Sequence, residues 1–394
     1  GSGVNLDKWK YMEYPSDDNG IHFLFVARII KEKGIEEYLN CAKVIKGKYP
    51  NTVFHILGPC DGEYKEILDD YEAKDLIKYH GEVSDTSEYL KFLEKQKALL
   101  EDGFPLPKYN NQEHLKLMKG CSIEWSLLSV SSPHPYFKDD IENSIKMCRH
   151  LNEQMAQLKK DDLKHFGFQA CIPLPDVEAA IQEAIYALDV LDADGINFPS
   201  NSRGLYLGDP KLEPLMEELN KRHAICNIHP HRPASLSEEV FSAGPVPLFE
   251  FIVDTTRAVL NLIRNDVILR YPNITWIIPH CGSFLPNIYD RFIGISKILI
   301  PQKMMEEVDV EASFKRLYFD IAGNPTPHLL KWLLTITTPD HIMYGSDFPF
   351  TPSKQIETNL NQFLKMLEED DLKPYKEMIL YKNAQDLFFK SGSK

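Results

Sequence analysis

The sequence predicts an α/β protein: a (β/α)₈ TIM-type barrel preceded by a partial Rossmann-like βαβ segment. Two observations lead to this fold class. After residue 121, short β-branched apolar runs alternate with helical patterns, as parallel strands joined by crossover helices do. The first 85 residues have a βαβ rhythm of their own, which predicts a division into 1–85 and 86–394.

The barrel part contains seven apolar runs, whereas a closed barrel of this type needs eight strands. Each run is nearly continuous in apolar residues, which is typical of strands covered on both faces. In chain order they are Ser122–Val130, Gly167–Pro175, Ala193–Pro199, Ala224–Pro230, Ile274–His280, Leu317–Gly323 and His341–Asp347. Helical patterns between them include Asp140–Lys160, Val177–Leu191, Pro214–His223 and Phe251–Tyr271.

The first 85 residues have too few elements for a complete nucleotide-binding domain. Strands are predicted at His22–Ala27, Thr52–Gly58 and Leu76–His80, with helices at Gly34–Lys48 and Tyr64–Ala73.

Composition limits the partners and the compartment. The formal charge is −14 without a long basic run, which argues against nucleic acid. The sequence has no stretch of 18 apolar residues, so no membrane span is expected. The first ten residues lack the apolar core of a signal peptide. The seven cysteines are scattered singly, as in proteins of a reducing cytoplasm. We therefore expect a cytoplasmic protein with a small-molecule substrate, and a homodimer is left open.

Three of the apolar runs deliver a metal-competent side chain at their carboxyl ends, where (β/α)₈ barrels carry their reactive groups. These side chains are His229, His280 and Asp347. Imidazole and carboxylate are usual ligands of a catalytic zinc that keeps one position open. A single histidine at a strand end is more often an ordinary polar residue, but three such ends together predict a metal site.

Further candidates lie near the same rim. His134 and His231 are candidate substrate contacts, with plain loop histidines as the alternative. Arg257 could bind an anionic substrate, as could Arg203 and Arg232, although a surface salt bridge is the alternative for Arg257. Two further residues, Asp320 and Asn324, lie at the end of the sixth run, Leu317–Gly323, and are expected to support the ligands.

Several motifs in order resemble the aminocarboxymuconate-semialdehyde decarboxylase branch of the amidohydrolase superfamily, from about Tyr89 to Phe388. They include Phe104-Pro105-Leu106-Pro107-Lys108, Leu128-Ser129-Val130-Ser131-Ser132-Pro133, Leu207-Gly208-Asp209-Pro210, Ile228-His229-Pro230, Pro279-His280-Cys281-Gly282-Ser283 and Tyr344-Gly345-Ser346-Asp347-Phe348-Pro349. The resemblance implies a single divalent metal, usually zinc, and either decarboxylation or hydrolysis. It also implies that His229 is a metal ligand, that His280 is the catalytic histidine, and that Asp347 is both the final ligand and a proton shuttle.

The chain departs from this family at the first barrel strand, which ends in His-x-His in the family and supplies two ligands. With Glu88-Tyr89-Leu90-Lys91 aligned to the family, Gly81 and Val83 fall near those positions. The first strand is therefore predicted to have been replaced. Without a first strand, the outer edges of Ser122–Val130 and His341–Asp347 should be unpaired.

The first 85 residues resemble part of the donor-binding half of a retaining glycosyltransferase. The matching segments are Gly3-Val4-Asn5-Leu6, Phe25-Val26-Ala27-Arg28, Lys31-Glu32-Lys33-Gly34, Phe54-His55-Ile56-Leu57-Gly58 and Tyr79-His80-Gly81. The resemblance implies that Arg28 and Lys33 contact a sugar-nucleotide diphosphate. The alternative is that both are solvated surface charges, and no glycosyl transfer is expected.

A substitute for the missing ligands is also conceivable from the sequence. If Leu76–Glu82 paired as the first barrel strand, His80 and Glu82 would lie on one face and could replace the two histidines. Three hypotheses remain: a metal-dependent decarboxylase or hydrolase of a small carboxylated or aromatic substrate, a catalytically impaired chimera, and a sugar-nucleotide-binding fragment fused to an incomplete barrel.

Overall fold

The computed structural model describes residues 21–60, 62, 64–81, 100–101, 104–105, 107, 109–132, 134–137, 140–236 and 245–389. The chain divides into two compact units, Gly1–Pro105 and Leu106–Lys394. The boundary predicted near residue 85 falls within 82–99, outside the described residues. None of the described helices is long and apolar enough to cross a membrane.

The first unit contains a three-stranded parallel sheet with strand order β1-β2-β3. The strands are β1 (Ile21–Val26), β2 (Thr52–Leu57) and β3 (Lys78–Tyr79), and the helices are α1 (Ile35–Lys48) and α2 (Lys65–Ala73). A short antiparallel pair follows, β4 (Leu100–Glu101) with β5 (Phe104–Pro105). The βαβαβ pattern predicted for this segment is thus found.

The sheet of the first unit packs one face against its helices. Phe54 and Ile56 of β2 are buried together with Leu39 of α1 and Leu68 of α2. Gly58 allows the ends of β1 and β2 to approach, since a Cβ there would lie 1.9 Å from the Ala27 carbonyl oxygen.

The second unit contains a seven-stranded parallel sheet with strand order β14-β13-β12-β11-β8-β7-β6. Its strands are β6 (Ser126–Ser129), β7 (Phe166–Ala170), β8 (Gly195–Pro199), β11 (Ile225–His229), β12 (Thr275–Ile278), β13 (Tyr318–Asp320) and β14 (Ile342–Met343). All seven predicted runs therefore form strands and pair in sequence order. A small hairpin, β9 (Asn201–Ser202) with β10 (Leu205–Tyr206), follows β8.

Helices alternate with these strands, as the crossover pattern requires. They are α3 (Asn111–Cys121), α4 (Ile141–Asp161), α5 (Val177–Asp189), α6 (Glu213–Lys221), α7 (Glu250–Arg264), α8 (Val267–Arg270), α9 (Leu285–Leu299), α10 (Val310–Lys315), α11 (Leu329–Leu333), α12 (Ser353–Met366) and α13 (Asn383–Phe388), with a π-helix at Met378–Lys382. Short helical turns occur at Lys31–Lys33, Pro210–Leu212, Val246–Leu248, Pro279–Gly282, Pro339–His341 and Lys373–Tyr375. Side chains of the central strands, among them Phe168, Phe198 and Trp276, form the core.

The first barrel strand considered above is not formed by Leu76–Glu82. Lys78 and Tyr79 pair instead with His55 and Ile56 of β2, in a sheet separate from the seven-stranded one. The pairing that would have turned His80 and Glu82 into replacement ligands is therefore wrong, because β3 completes the first unit's own sheet. Glu82 itself lies outside the described residues.

The outer edge of β14 is not left without hydrogen bonds, contrary to the prediction. The Tyr344 amide donates to the Ile379 carbonyl oxygen over 3.0 Å, and Asn383 Nδ2 donates to the Ile342 carbonyl oxygen over 2.8 Å. The C-terminal helical segment thus caps this edge, which the sequence pattern did not indicate. Within the described ranges, no strand pairs with the outer side of β6.

The close approach of β8 and β11 gives a test of the sheet. A Cβ at Gly195 would lie 2.4 Å from the Ile225 carbonyl oxygen, so Gly195→Ala should lower the free energy of unfolding by about 2 kcal/mol or more. Urea unfolding followed by tryptophan fluorescence would measure this.

Gly294→Ala is the matched control, because a Cβ in this exposed position of α9 meets nothing within 4 Å. It should stabilise the unit slightly, by roughly 0.5–1 kcal/mol, since alanine favours a helix. Equal effects of the two substitutions would contradict the strand packing described above.

Candidate active site

Four acid and imidazole side chains follow the carboxyl ends of adjacent strands. His229 ends β11, His280 follows β12 by two residues, Asp320 ends β13, and Asp347 follows β14 by four residues. All four line one cavity of about 1940 Å³ in the second unit. The three side chains on which the sequence-based metal site rests therefore line the same cavity.

His229 is held as a neutral ligand-type imidazole. Its Nδ1 donates to the Pro230 carbonyl oxygen over 2.8 Å, which leaves the lone pair on Nε2. Burial, and then the nearby charge of His280, lower the pKa of His229 to about 3. The ring is therefore uncharged across the neutral range.

His280 sits in an unusual backbone turn. Both His280 (φ 56°) and Cys281 (φ 54°) have left-handed backbone angles, which non-glycine residues rarely adopt. The His280 amide donates to Asp320 Oδ1 over 3.1 Å, and this bond helps to hold the turn. Nδ1 of His280 is buried and has no hydrogen-bond partner within the described part of the chain.

Asp320 and Asp347 are half-buried carboxyl groups at the ends of β13 and β14, the two strands that follow β12 in the sheet order. Burial raises the pKa of both, and the charge of His280 opposes the rise. Asp320 also accepts the Ala322 amide over 3.0 Å, and Asp347 accepts the Thr351 hydroxyl over 3.0 Å. Asp347 is thus oriented by its own loop, and Asp320 by the backbone it supports.

His134 and His231 lie beside His229 and line a small pocket with it. His134 Nε2 donates to the Ile172 carbonyl oxygen over 2.7 Å, and burial lowers the pKa of His134 to about 4. His231 Nδ1 lies 3.1 Å from the Ser132 hydroxyl, and its amide donates to Ser200 Oγ over 3.0 Å. Their predicted substrate contacts stay predictions.

Arg257 is tied to a buried carboxylate. Its Nη1 donates to Asp254 Oδ1 over 2.7 Å, and it is not among the residues that line either pocket. Asp254 is fully buried and also accepts from Asn201 Nδ2 over 2.7 Å and from the hydroxyls of Ser200 and Tyr206. The ion pair with Asp254 supports the salt-bridge alternative for Arg257. Its acidic partner, however, is buried and does not lie at the surface.

The sequence reasoning assigned no role to two buried polar residues, Asp254 and His114. Asp254 lies in a helix, so no strand-end pattern points to it. His114 of α3 lines the large cavity and is only 4% exposed, with its ring nitrogens 3.1 Å from Tyr109 Oη and 3.2 Å from Ser126 Oγ. Its ring packs 4.7 Å from that of Phe348, next to Asp347.

The candidate residues of the first unit have other surroundings. His80 Nε2 lies 2.8 Å from Nδ1 of His55 on the neighbouring strand. Arg28 and Lys33 are exposed at the surface. The contact of Arg28 and Lys33 with a sugar nucleotide therefore stays a prediction.

The number of possible protein ligands at the candidate metal centre is small. No group of three or more His, Cys, Asp or Glu that could hold an ion occurs among the described residues. His229 Nε2 and the Asp347 carboxylate are of the right chemical type, but catalytic metal sites usually have three protein ligands.

Two family models match the chain. Residues 132–390 match the family described as Amidohydrolase, and residues 10–100 match Glycosyl transferases group 1. Decarboxylase macB of Penicillium terrestre is 32% identical over 285 residues, which are 68% of this chain and 81% of that protein. The 6-methylsalicylic acid decarboxylase of Penicillium expansum is 28% identical over 269 residues, 68% of this chain and 82% of that protein.

Solved structures share the fold of the second unit. A crystal structure of an amidohydrolase II is 35% identical, has a TM-score of 0.68 and covers 76% of this chain and 95% of its own. A 5-carboxyvanillate decarboxylase of Novosphingobium aromaticivorans, solved with manganese, is 18% identical with a TM-score of 0.64, over 85% of this chain and 95% of its own. At 18% identity, the second likeness concerns the fold alone.

The depressed pKa of His114 makes stability depend on pH. Burial lowers that pKa from 6.5 to about 4, so below pH 6.5 the unfolded chain binds a proton that the folded chain does not. Stability should therefore fall as the pH drops from 6.5 to 4, by roughly 2–3 kcal/mol from this residue.

In His114→Gln the free energy of unfolding should decrease less between pH 6.5 and 4, by the contribution of up to one bound proton, because glutamine can bond to Tyr109 and Ser126 without titrating. Urea titrations across that pH range would measure the difference. His150→Gln, at an exposed position of α4, is the matched control. Identical profiles for the parent and His114→Gln would contradict the burial of this ring.

Proposed function

Because the chain belongs to the amidohydrolase family, we propose that residues 106–394 are the body of a metal-dependent decarboxylase, a carbon–carbon lyase acting on small aromatic carboxylic acids. The observation that carries the proposal is the convergence of His229, His280, Asp320 and Asp347 on one cavity at the strand ends. The names of the similar proteins favour decarboxylation over hydrolysis, which the sequence left open.

His229 Nε2 and the Asp347 carboxylate would hold the cation. The buried Nδ1 of His280, which has no partner in the described part, supports a site that is completed by another group. A nitrogen–oxygen donor set suits manganese, found in a structure of similar fold, as well as the zinc that the sequence suggested. When bound, a divalent cation would polarise a substrate oxygen and lower the pKa of a bound water.

The protein side chains would supply proton transfer and orientation. Decarboxylation breaks the bond between the ring carbon and the carboxylate, releases CO₂ and leaves an electron pair on the carbon, which then takes a proton. Asp347 would carry that proton, with His280 lining the same cavity. Asp320 would keep the His280 turn in place through its hydrogen bond to the backbone.

The short ligand set favours a second candidate function, a barrel that binds aromatic acids without turnover. Two protein ligands hold a cation more weakly than three, and the described residues provide no third.

For the first unit, with its proposed boundary near residue 85, Arg28 and Lys33 remain proposed contacts to a sugar nucleotide.

A direct assay separates the two candidates. CO₂ release from 6-methylsalicylate and 2,6-dihydroxybenzoate would be measured with the full chain in excess Mn²⁺ or Zn²⁺. If the lyase proposal is right, His280→Ala and Asp347→Asn should each lower kcat by about 100-fold or more, because each removes a group from proton transfer.

His150→Ala is the control, since this exposed histidine lies on α4 outside the cavity lining. Saturable binding of the acids without CO₂ release in the parent would favour the second candidate. Equal rates in the parent, His280→Ala and Asp347→Asn would overturn the assignment of the site.

Metal binding gives a further test that does not depend on turnover. In equilibrium dialysis against Mn²⁺, His229→Ala should weaken binding by at least about tenfold, because it removes the neutral imidazole ligand. His134→Gln should change binding far less, since His134 Nε2 is bonded to the Ile172 carbonyl oxygen. The same affinity in the parent and His229→Ala would exclude His229 as a ligand.

A further inference from the structure

One peptide unit joins the His229 imidazole to the loop that follows β8. The Pro230 carbonyl oxygen accepts the hydrogen of His229 Nδ1 over 2.8 Å. The amide nitrogen of the same peptide unit, that of His231, donates to Ser200 Oγ over 3.0 Å. Because a peptide unit is planar, the serine that holds its amide also sets the direction of its carbonyl oxygen.

The Ser200 hydroxyl is held in turn by a carboxylate of α7. Ser200 Oγ donates to Asp254 Oδ2 over 2.5 Å, and both residues are fully buried. The Ser200 amide donates to the His229 carbonyl oxygen over 2.8 Å, which fixes the backbone of the serine beside the end of β11. The hydroxyl therefore accepts from the peptide unit and donates to the carboxylate, and a hydroxyl can do both at once.

The other hydrogen bonds of Asp254 keep its carboxylate in place. Asn201 Nδ2 donates to Oδ2 over 2.7 Å and to the Arg232 carbonyl oxygen over 2.9 Å, so it ties the carboxylate to the loop after β11. Oδ1 accepts from Arg257 Nη1 over 2.7 Å and from the Tyr206 hydroxyl. Four donors around two oxygens suit an ionised carboxylate, which only accepts hydrogen bonds.

The hydrogen bonds between the imidazole and Asp254 all run in one direction. His229 Nδ1 donates to the peptide unit, the peptide unit donates to Ser200, and Ser200 donates to Asp254. Such a chain polarises each of its bonds toward the negative charge, so it makes the lone pair on His229 Nε2 more basic. Histidines that bind metal ions are commonly oriented through the other ring nitrogen in this way.

We propose that Asp254 is a positioning residue for His229, which acts through Ser200 and the Pro230–His231 peptide unit. This inference rests on the function proposed above, in which His229 Nε2 binds the cation. Asp254 itself is not among the residues that line the cavity. The hydrogen-bond chain holds the imidazole in one tautomer and one orientation before the cation binds, which lowers the entropy that binding costs.

The test is a double-mutant cycle on Mn²⁺ affinity, measured by equilibrium dialysis of the full chain. Ser200→Ala separates the peptide unit from Asp254 and should weaken Mn²⁺ binding by about tenfold, as loss of an outer partner of a metal ligand does. In a His229→Ala chain, Ser200→Ala should change the affinity by less than about twofold, because no imidazole is left to be positioned. Asp254→Asn should give the same pattern from the other end of the chain of hydrogen bonds.

Ser296→Ala is the matched control, because it removes another buried serine hydroxyl, which donates to the Phe292 carbonyl oxygen of α9 over 2.7 Å. This substitution should leave the Mn²⁺ affinity unchanged. Urea unfolding of each metal-free protein would check the fold, and if Asp254→Asn does not fold, the Ser200→Ala cycle alone decides.

Two outcomes would overturn the positioning role and leave the proposed function standing. One is that Ser200→Ala binds Mn²⁺ as tightly as the parent while His229→Ala binds it more weakly. The other is that Ser200→Ala weakens binding equally with and without His229, which is the result of a purely structural role. Equal affinity in the parent and His229→Ala would overturn the assignment of His229 as a ligand, and with it both proposals.

Discussion

The parallel pairing of β11, β12, β13 and β14 is the constraint on which the candidate site depends. Parallel strands present their carboxyl ends at one edge, so four residues that are up to 118 positions apart in sequence, from His229 to Asp347, reach one cavity. The hydrogen bond from the His280 amide to Asp320 adds a local link between two of these strand ends. Burial at this edge then accounts for the neutral His229 and for the raised pKa of both carboxyl groups.

Elements with a strong local signal could be predicted from the sequence, and those that depend on distant partners could not. The seven barrel strands were found because each is apolar on both faces, and the strand ends then pointed to His229, His280 and Asp347. The cluster around Asp254 was missed because its partner Ser200 is 54 residues away. The capping of β14 by Asn383, 41 residues from Ile342, was missed for the same reason.

Family membership supports a metal-dependent enzyme, whereas the small number of possible metal ligands among the described residues argues for weak metal binding. The amidohydrolase match and the decarboxylase relatives support an enzyme, yet the described residues contain no group of three or more His, Cys, Asp or Glu that could hold a cation. His80 had been considered as a replacement, but β3 pairs with β2 and places His80 next to His55. The site proposed at the rim therefore has the residue types that the family resemblance implies, with a smaller set of protein ligands among the described residues.

X-ray absorption spectroscopy of the Mn²⁺-loaded His80→Ala variant would test this account most directly, because it counts the imidazole nitrogens bound to the ion. The variant removes the histidine of the first unit that the sequence suggested as a replacement ligand. We expect one imidazole, from His229, with oxygen atoms in the other positions. Two or more imidazoles at bonding distance would contradict the account, and so would a chain that retains no manganese.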